Sequence, residues 1–441
     1  MEVLTQVTQF ILSLSILIVL HEMGHFVPAK LFKTRVEKFY LFFDPWFSLF
    51  KFKKGGTEYG IGWLPLGGYV KISGMIDESM DKEQMKLPPQ DWEFRSKPAW
   101  QRLIIMLGGV TVNAILGMLI YAMVLFAWGE EYLPTQNATY GIAVDSLGIE
   151  MGLKNGDKIL SVNNIEVPNF NKIQKVILLD ETHSIQVERE GKKLDIPVTE
   201  DNIIKMIEGA GKSMLIAPRF PCIVDSLTPE DPAAKVGIKK GDKIISINGQ
   251  PTRFHDEVTK VLRKNPYTVA NIVLLRNNDT MIIRTPVNGN GNIGFFPKDP
   301  SSFFKMDTIH YGFLAAFPAG IHKAHDTFDD YLKQMKVIFT VKGAHKQIGG
   351  FMTIGKAYST TWDWERFWGF TAFLSIVLAI MNVLPIPALD GGHVMFLLYE
   401  VITGRKPNEK LMEYAQYAGM LLLLALLLYA NGNDIVRLFS K

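Results

Sequence analysis

The chain has 441 residues, 48% of them hydrophobic, and a formal net charge of only +3. A hydrophobic fraction this high is unusual for a soluble protein, so part of the chain is expected to lie in lipid. Basic and acidic residues are nearly balanced, which leaves no electrostatic footprint for nucleic acid and excludes it as an expected partner. A single cysteine, Cys222, cannot form an intrachain disulfide.

Four apolar stretches predict four transmembrane helices, at residues 1–30, 103–128, 366–390 and 411–430. Each can cross a hydrocarbon layer of about 30 Å as a helix. The first lacks the basic start and the small-residue cleavage site of a secretory signal peptide, so it is expected to be retained. Lysine and arginine are abundant between the first two spans and absent before the first, which places that segment in the cytoplasm and both termini outside.

Residues 129–365, between the second and third spans, form one large extracytoplasmic insertion on this topology, and they contain an internal repeat. Gly152 to Asn164 and Gly237 to Gly249 are identical at eight of thirteen positions. Each copy has a Gly-Asp turn, an alternating strand and a turn with asparagine. The copies resemble bacterial PDZ domains, at residues 129–214 and 215–296. This resemblance implies a groove in which an extended peptide pairs with a sheet edge.

Two further segments are expected at the membrane surface. Residues 297–365 mix apolar and polar side chains at helical spacing, which predicts amphipathic helices on the extracytoplasmic side. Residues 31–102 form a cytoplasmic loop in which Glu58 to Ser73 alternates and carries several glycines. This pattern predicts a membrane-associated β-hairpin whose strand edge can pair with an unwound substrate segment.

The decisive motif is His21-Glu22-Met23-Gly24-His25 in the first span. On a helix, residues i and i+4 share a face, so both imidazoles can bind one zinc ion while Glu22 stays beside the metal as a general base. Imidazole nitrogen is a preferred zinc ligand. Two histidines and a glutamate inside an apolar span are energetically expensive, which indicates a functional site.

A catalytic zinc usually has three protein ligands, and Asp390 in the third span is the predicted third ligand. It is the only acidic residue between Glu365 and Glu400. His21 and Asp390 lie nine and ten residues before a charged residue on the cytoplasmic side, so on parallel spans they reach one depth. His393 is the alternative third ligand.

Three features together resemble the site-2 protease family of intramembrane zinc metalloproteases, and closely its bacterial RseP-like branch. They are the HEMGH motif of the first span, the sequence NVLPIPALDGG at residues 382–392, and the two PDZ-like copies. The resemblance covers almost the whole chain. It departs at residues 42–46, FFDPW, where members of the family have a glycine-rich stretch.

The resemblance implies a protease with one catalytic zinc that cleaves transmembrane segments of single-pass proteins after ectodomain trimming. Such substrates include a membrane-anchored anti-sigma factor or a remnant signal peptide. It also implies a bacterial inner membrane location. On the predicted topology the PDZ-like copies are periplasmic and attached to the outer ends of the second and third spans, so they are expected to filter substrates by ectodomain size, and the active site lies towards the cytoplasm. A helical substrate must unwind before cleavage, so the candidate substrate-binding residues lie at the strand edge and at a proline-broken helix. They are Gly68, Tyr69, Val70, Asn382 and Pro385.

The predicted fold is therefore an α-helical polytopic membrane protein with four transmembrane helices, a membrane-associated β-hairpin and a tandem pair of PDZ-like β/α domains. Residues 391–410 connect the last two spans in the cytoplasm, and residues 431–441 form a tail. Two other function classes are open. A non-enzymatic PDZ scaffold would hold a structural zinc, and a zinc transporter would carry ionisable residues along a whole path. Neither accounts for all of the motifs together.

Overall fold

The computed structural model describes residues 2–75, 87–209 and 214–439. Internal contacts divide the chain into two units. Unit 1 comprises Met1–Gly129, His310–Met335 and Ile348–Lys441, and unit 2 comprises Glu130–Ile309 and Lys336–Gln347. The predicted cytoplasmic loop of residues 31–102 contains residues 76–86, and the predicted tail contains residues 440–441. Both stretches lie outside the described residues.

The helices of the described residues are, in chain order, α1 (Glu2–Leu31), α2 (Ala99–Ala127), α3 (Ser146–Glu150), α4 (Phe170–Leu179), α5 (Glu200–Glu208), α6 (Pro232–Lys235), α7 (His255–Arg263), α8 (Phe313–Thr340), α9 (Phe351–Lys356), α10 (Trp364–Val383), α11 (Asp390–Thr403) and α12 (Glu409–Phe439).

The strands are β1 (Val36–Leu41), β2 (Phe43–Lys54), β3 (Thr57–Leu64), β4 (Tyr69–Ile72), β5 (Glu130–Tyr132), β6 (Ile142–Val144), β7 (Lys158–Val162), β8 (Ser184–Arg189), β9 (Lys192–Pro197), β10 (Ile216–Pro218), β11 (Val224–Leu227), β12 (Lys243–Ile247), β13 (Gln250–Pro251), β14 (Val269–Arg276), β15 (Asp279–Pro286), β16 (Phe295–Pro297) and β17 (Asp307–Ile309).

Within the described residues, four helices are long and apolar enough to cross a membrane, as predicted: α1, α2, α10 and α12. Several boundaries differ from the prediction. Helix α10 ends at Val383 instead of residue 390, and α11 occupies much of the predicted cytoplasmic connection. Pro385 and Pro387 explain the break, because proline disfavours a helical residue before it and lacks the N–H that a helix needs. Helix α12 runs to Phe439, so the predicted tail is mostly helical.

The predicted hairpin of residues 58–73 is wrong. Unit 1 contains a four-stranded sheet in the order β2-β3-β1-β4. Strand β1 is parallel to β3 and antiparallel to β4, so it separates the two strands that were expected to pair. Alternation in a sequence shows which face of a strand is buried but not which strand lies beside it. The actual hairpin joins β2 to β3 through Gly55-Gly56, where φ is 59° and 81°, as a tight two-residue turn requires.

Helix α2 packs against α1, α10 and α11 in unit 1. Its contact with α1 is unusually close at Gly24 and Gly108. A Cβ atom on Gly108 would overlap the carbonyl oxygen of Gly24, and one on Gly24 would lie 2.6 Å from the carbonyl carbon of Gly108. Small residues allow such backbone contact between membrane helices. Gly24 therefore sets the position of α1, and with it the HEMGH motif, against α2.

The predicted amphipathic segment is one long helix, α8, together with the short strand β17 and the short helix α9. One face of α8 is buried at Ala316, Gly320 and Ala324. A Cβ atom on Gly320 would lie 2.6 Å from the backbone nitrogen of Ala122, so this part of α8 packs directly on α2. The expected position of the segment at the membrane surface stays a prediction.

Unit 2 contains both copies of the repeat, and each has its own hydrophobic core. Leu153, Ile159 and Val162 belong to the first core. Ile238, Ile244 and Ile247, at the corresponding positions of the second copy, belong to the second core. The sheets are β7-β8-β9 with the pair β10-β6, and β13-β12-β14-β15 with the pair β11-β16.

The same ion pair supports the Gly-Asp turn in both copies. In the first, Arg189 donates two hydrogen bonds of 2.7 Å to the buried carboxylate of Asp157. In the second, Arg276 donates two bonds of 2.7 Å to Asp242. Bidentate arginine-carboxylate pairs are strong and geometrically specific. The two copies of the repeat therefore have the same local structure.

Candidate metal centre and active site

Helix α1 and the start of α11 bring together the three predicted metal ligands. The Nε2 atoms of His21 and His25 are 3.3 Å apart. The Oδ2 atom of Asp390 lies 3.4 Å from the Nε2 atom of each histidine. Among the described residues, these three form the cluster whose donor atoms could hold a metal ion. His393 is one turn further along α11 and lines the same cavity, but it is not part of the cluster.

The spacing and chemistry of these donor atoms fit zinc. Two ligands at about 2.1 Å from a tetrahedral ion are about 3.4 Å apart, which matches the three observed separations. The Oδ2 atom of Asp390 is buried and has no hydrogen-bond partner. A buried carboxylate oxygen without a partner is costly unless a cation neutralises it. Two imidazole nitrogens and one carboxylate oxygen are a common catalytic zinc set.

The second nitrogen of each imidazole is held by α2. His25 donates from Nδ1 to the carbonyl oxygen of Ile105 at 2.8 Å, which leaves Nε2 free to bind a metal. The amide of Asn113 lies 3.2 Å from Nδ1 of His21. With its oxygen facing His21, this amide accepts a hydrogen bond from Nδ1 and again frees Nε2. In the opposite orientation the amide nitrogen donates to Nδ1, which puts the proton of the neutral imidazole on Nε2 and prevents that atom from binding a metal, so we assign the first.

Asn113 and Gly109 are site residues to which the sequence reasoning assigned no role. Asn113 is completely buried, and its signal in the sequence is a polar amide within an apolar span. Gly109 faces the imidazoles: a Cβ atom there would overlap Nε2 of His25 and lie 2.6 Å from Cε1 of His21. The sequence shows Gly109 only as part of the family-like pattern GGVTVN at residues 108–113, which also contains Asn113, and its role depends on the neighbouring helix.

A short connection between α10 and α11 presents Asp390. It is tightly folded, with a hydrogen bond of 3.1 Å from the N–H of Leu389 to the carbonyl of Ile386. Ala388 has a φ of 77°, a left-handed conformation that costs a non-glycine residue about 1–2 kcal/mol. Gly391 and Gly392 allow close approach, because a Cβ atom on either would clash with carbonyl oxygens of this connection. Asp390 is therefore the first residue of α11 and directly follows a strained loop.

A cavity of about 600 Å³ opens beside the three ligands, and Glu22 lines it. The backbone of Val70 in β4 lies beside the Glu22 carboxylate. Gly68 lies beside the same side chain, since a Cβ atom on Gly68 would be 3.6 Å from Cγ of Glu22. Glu22 is not a member of the ligand cluster among the described residues, as a general base beside the metal requires.

The cavity includes three of the five predicted substrate-binding residues. Gly68, Tyr69 and Val70 line it, whereas Asn382 and Pro385 are not among its lining residues. Asn382 lies in the last turn of α10, and Pro385 is exposed in the connection that follows. The structure thus brings the strand edge to the metal ligands and leaves the proline-broken helix end outside the cavity lining.

Residues 42–46, where the sequence departs from the family pattern, form part of the cavity wall. Phe42 and Trp46 have φ of 67° and 72°, so the chain bends on both sides of Asp44. The hydroxyl of Tyr69 donates to Asp44 at 2.8 Å, and Ser48 donates to it at 3.1 Å. Burial and the neighbouring Asp44 carboxylate raise the pKa of Tyr69 far above its ordinary value, so this hydroxyl stays protonated as a donor.

Comparison with known proteins agrees with this site. The family model for Peptidase family M50 matches residues 9–426. The chain is 28% identical to the regulator of sigma-E protease RseP of Escherichia coli, with 99% of each chain covered. It is 26% identical to the regulator of sigma E protease of Haemophilus influenzae, with 99% and 100% covered. A Vibrio cholerae protein that bears the provisional name of a zinc metalloprotease is 27% identical, with 99% and 100% covered.

The family match extends over most of the chain and includes both halves of the ligand cluster. It excludes the scaffold and the transporter that the sequence left open. The four apolar helices make the protein a multi-pass membrane protein. The chain therefore belongs to Peptidase family M50 and is a zinc-dependent membrane metalloprotease.

Proposed function

We propose that this protein is an intramembrane protease in which His21, His25 and Asp390 hold the zinc ion. The observation that carries the proposal is the trio of donor atoms 3.3–3.4 Å apart, contributed by the spanning helix α1 and by the start of α11. Zinc bound there would polarise a peptide carbonyl and lower the pKa of water. Family membership supports the assignment, since the relatives include named zinc metalloproteases.

Glu22 acts as the general base in this proposal. Its position on α1, one residue after His21, brings its carboxylate to the cavity without entering the ligand cluster. It accepts the proton of the attacking water and later delivers it to the leaving amine. The backbone of Val70 in β4 lies beside this carboxylate.

The substrate pairs with the edge of β4. This strand is last in the sheet order, so one of its edges has no neighbouring strand within the described sheet. Tyr69 and Val70 also line the cavity, which brings this edge beside the catalytic groups. An unwound segment of a transmembrane helix can satisfy its backbone by adding to such an edge. We therefore retain Gly68, Tyr69 and Val70 as substrate-binding residues and leave Asn382 and Pro385 out of this subsite.

The substrates are single-pass membrane proteins of a bacterial inner membrane. Two of the relatives are named regulators of sigma-E protease, which favours a membrane-anchored anti-sigma factor over an unrelated class. A remnant signal peptide has the same form, a lone apolar helix with a short extracytoplasmic stub. The active site faces the cytoplasm and unit 2 lies outside, because the basic residues cluster between the first two spans.

The two modules of unit 2 are PDZ domains that filter substrates by ectodomain size. Their shared sequence pattern and shared local structure support this identity. The modules are inserted between two helices of unit 1, α2 and α8. A folded ectodomain on a substrate would collide with them, whereas a trimmed stub would pass. The filter acts by exclusion, with groove binding as a smaller contribution.

The test of the catalytic proposal is Glu22→Gln. This change removes the base and no ligand, so zinc should remain stoichiometric while cleavage of a model single-pass substrate is lost. Removing one general base typically costs about 10²–10⁴-fold in rate. Zinc is measured by metal analysis of the purified membrane protein, and cleavage is measured in the same preparation. Wild-type cleavage by this variant would disprove the role of Glu22.

A further inference from the structure

Helix α12 is the most exposed of the four spanning helices. Only 11% of its apolar 18-residue stretch is buried, compared with 22–39% for the other three. Two residues of this helix are nevertheless buried, and both face the same neighbouring segment of the chain. Gln416 is 6% exposed, and Gly419 is also buried. A polar amide on a membrane helix is expensive unless it has a partner, so its partner indicates what it does.

The partner of Gln416 is the loop that presents Asp390. The Oε1 atom of Gln416 accepts a hydrogen bond of 3.2 Å from the N–H of Ala388. Ala388 is the residue with a left-handed φ of 77°. A residue held in this region returns to an ordinary conformation unless its surroundings restrain it.

Gly419, nearly one turn further along α12, makes the second contact with the same loop. A Cβ atom on Gly419 would overlap the carbonyl oxygen of Pro387. Pro387 and Ala388 are therefore held by neighbouring positions of one helix face. Asp390 lies two residues beyond Ala388, so a change of the loop backbone would move its carboxylate relative to His21 and His25.

We propose that Gln416 and Gly419 are positioning residues that hold the strained loop of residues 384–389 so that Asp390 reaches the zinc site. The inference rests on the proposed ligand set. It makes the fourth spanning helix, which supplies no ligand, part of the support of the metal centre. Residues that orient a metal ligand commonly change metal affinity by about 10–100-fold when they are replaced.

The competing explanation is that Gln416 contacts the substrate, because its side chain also lines the cavity. A substrate contact changes KM or kcat without changing the affinity for the metal. A positioning residue changes the metal site itself, in the absence of any substrate. The experiment therefore measures the metal site first.

The main variant is Gln416→Met in the full-length protein, which keeps the volume and removes the acceptor. We expect the zinc dissociation constant, measured by competition with a chromophoric chelator, to rise about tenfold. The visible absorption bands of the cobalt(II)-substituted protein should also shift, because they depend on ligand geometry. Gly419→Ala should weaken zinc binding in the same direction. An unchanged zinc affinity and cobalt spectrum in Gln416→Met would overturn the proposal.

Rescue by Ala388→Gly separates positioning from general stability. Glycine adopts a positive φ without strain, so the double variant Ala388→Gly, Gln416→Met should recover most of the zinc affinity. A double variant no better than Gln416→Met would also overturn the proposal.

The matched control is Asp434→Asn, at the other end of α12. Asp434 accepts hydrogen bonds of 3.1 and 3.0 Å from the N–H groups of Gly350 and Thr353, far along the helix from the loop. This variant should lower the unfolding temperature and leave zinc affinity unchanged. An equal loss of zinc in Asp434→Asn would mean that α12 acts through stability alone. Asp390→Asn tests the ligand set separately: if that variant keeps zinc, the proposed function fails and not only this inference.

Discussion

At the scale of single residues, the proposed metal centre depends on one carboxylate, that of Asp390. Asp390→Asn should weaken zinc binding by more than the roughly 10–100-fold typical of losing a residue that only orients a ligand. The reason is that a neutral amide is a poorer ligand and leaves two imidazoles to hold the ion. The measurement is zinc affinity by chelator competition. His393→Ala is the control and should keep zinc. The opposite pattern, zinc kept in Asp390→Asn and lost in His393→Ala, would reassign the third ligand.

A second residue-scale prediction concerns pH and the second module of unit 2. His255 stacks on Phe220 with ring centroids 5.2 Å apart, and its Nδ1 lies 3.7 Å from Sγ of the buried Cys222. Burial lowers the pKa of His255 from its ordinary value of 6.5, and Arg263 lowers it further against the opposing effect of Asp256. Below about pH 6.5 the unfolded module therefore binds a proton more readily than the folded one, and stability falls as the pH falls.

The single cysteine reports this loss of stability directly. Cys222 is fully buried, so maleimide can label it only when the module opens. The labelling rate, divided at each pH by the rate for a short model peptide, should increase between pH 7 and pH 5. His255→Phe keeps the stacking and removes the titrating group, so its normalised rate should stay nearly flat. A parallel increase in both proteins would assign the effect to other groups.

At the scale of elements, the contact between α1 and α2 determines whether the ligands have room for an ion. Gly109→Val should abolish zinc binding, because its Cβ atom would overlap Nε2 of His25. Gly117→Ala, two turns further along α2, is the matched control. Its Cβ atom would lie 2.6 Å from Cδ1 of Ile376, the end of a flexible side chain that can move. Metal analysis of both variants checks the prediction, and stoichiometric zinc in Gly109→Val would contradict the assigned site.

The strands show why an element can be predicted while its neighbours are not. The alternation of residues 58–73 correctly indicated extended structure, because the period of two is a local property of the chain. It did not reveal β1, which has buried Val36 and Tyr40 and inserts between β3 and β4. The consequence for the site is direct, since this order leaves β4 at the end of the sheet beside Glu22.

At the scale of the whole molecule, unit 2 should act as a size filter that can be removed. Its first and last strands pair, with Glu130 opposite Ile309 and Tyr132 opposite Asp307, so the chain enters and leaves at adjacent points. Deleting residues 133–306 and joining β5 to β17 by a short turn should let the enzyme cut substrates with intact ectodomains. Cleavage of short-stub substrates should remain. The measurement is a comparison of both substrates in membranes.

Two controls make the deletion decisive. The same deletion carrying Glu22→Gln should cut neither substrate, which shows that any new cleavage comes from this active site. Zinc analysis shows whether unit 1 is intact. If the deletion variant keeps zinc and stays in the membrane but no longer cuts short stubs, the modules recruit substrates and do not exclude them.

The sequence by itself determined the features that repeat locally along the chain. Apolar length predicted the four spans, the i, i+4 spacing predicted two imidazoles on one face of α1, and the similarity of the two copies predicted paired modules in unit 2. Asp390 was also found from the sequence, because an acid next to an apolar span is rare. These are properties of composition and period, which do not depend on what lies beside each element.

Only the tertiary structure decided which elements meet. The end of α10 at Val383 follows from two prolines, yet the left-handed Ala388 and its contact with Gln416 depend on a helix nearly thirty residues away. Asn113 and Gly109 act through their position opposite α1, and Asn382 lies outside the cavity lining despite its motif. These contacts depend on long-range packing. Local sequence does not encode them, because a glycine or an amide can pack against many different neighbours.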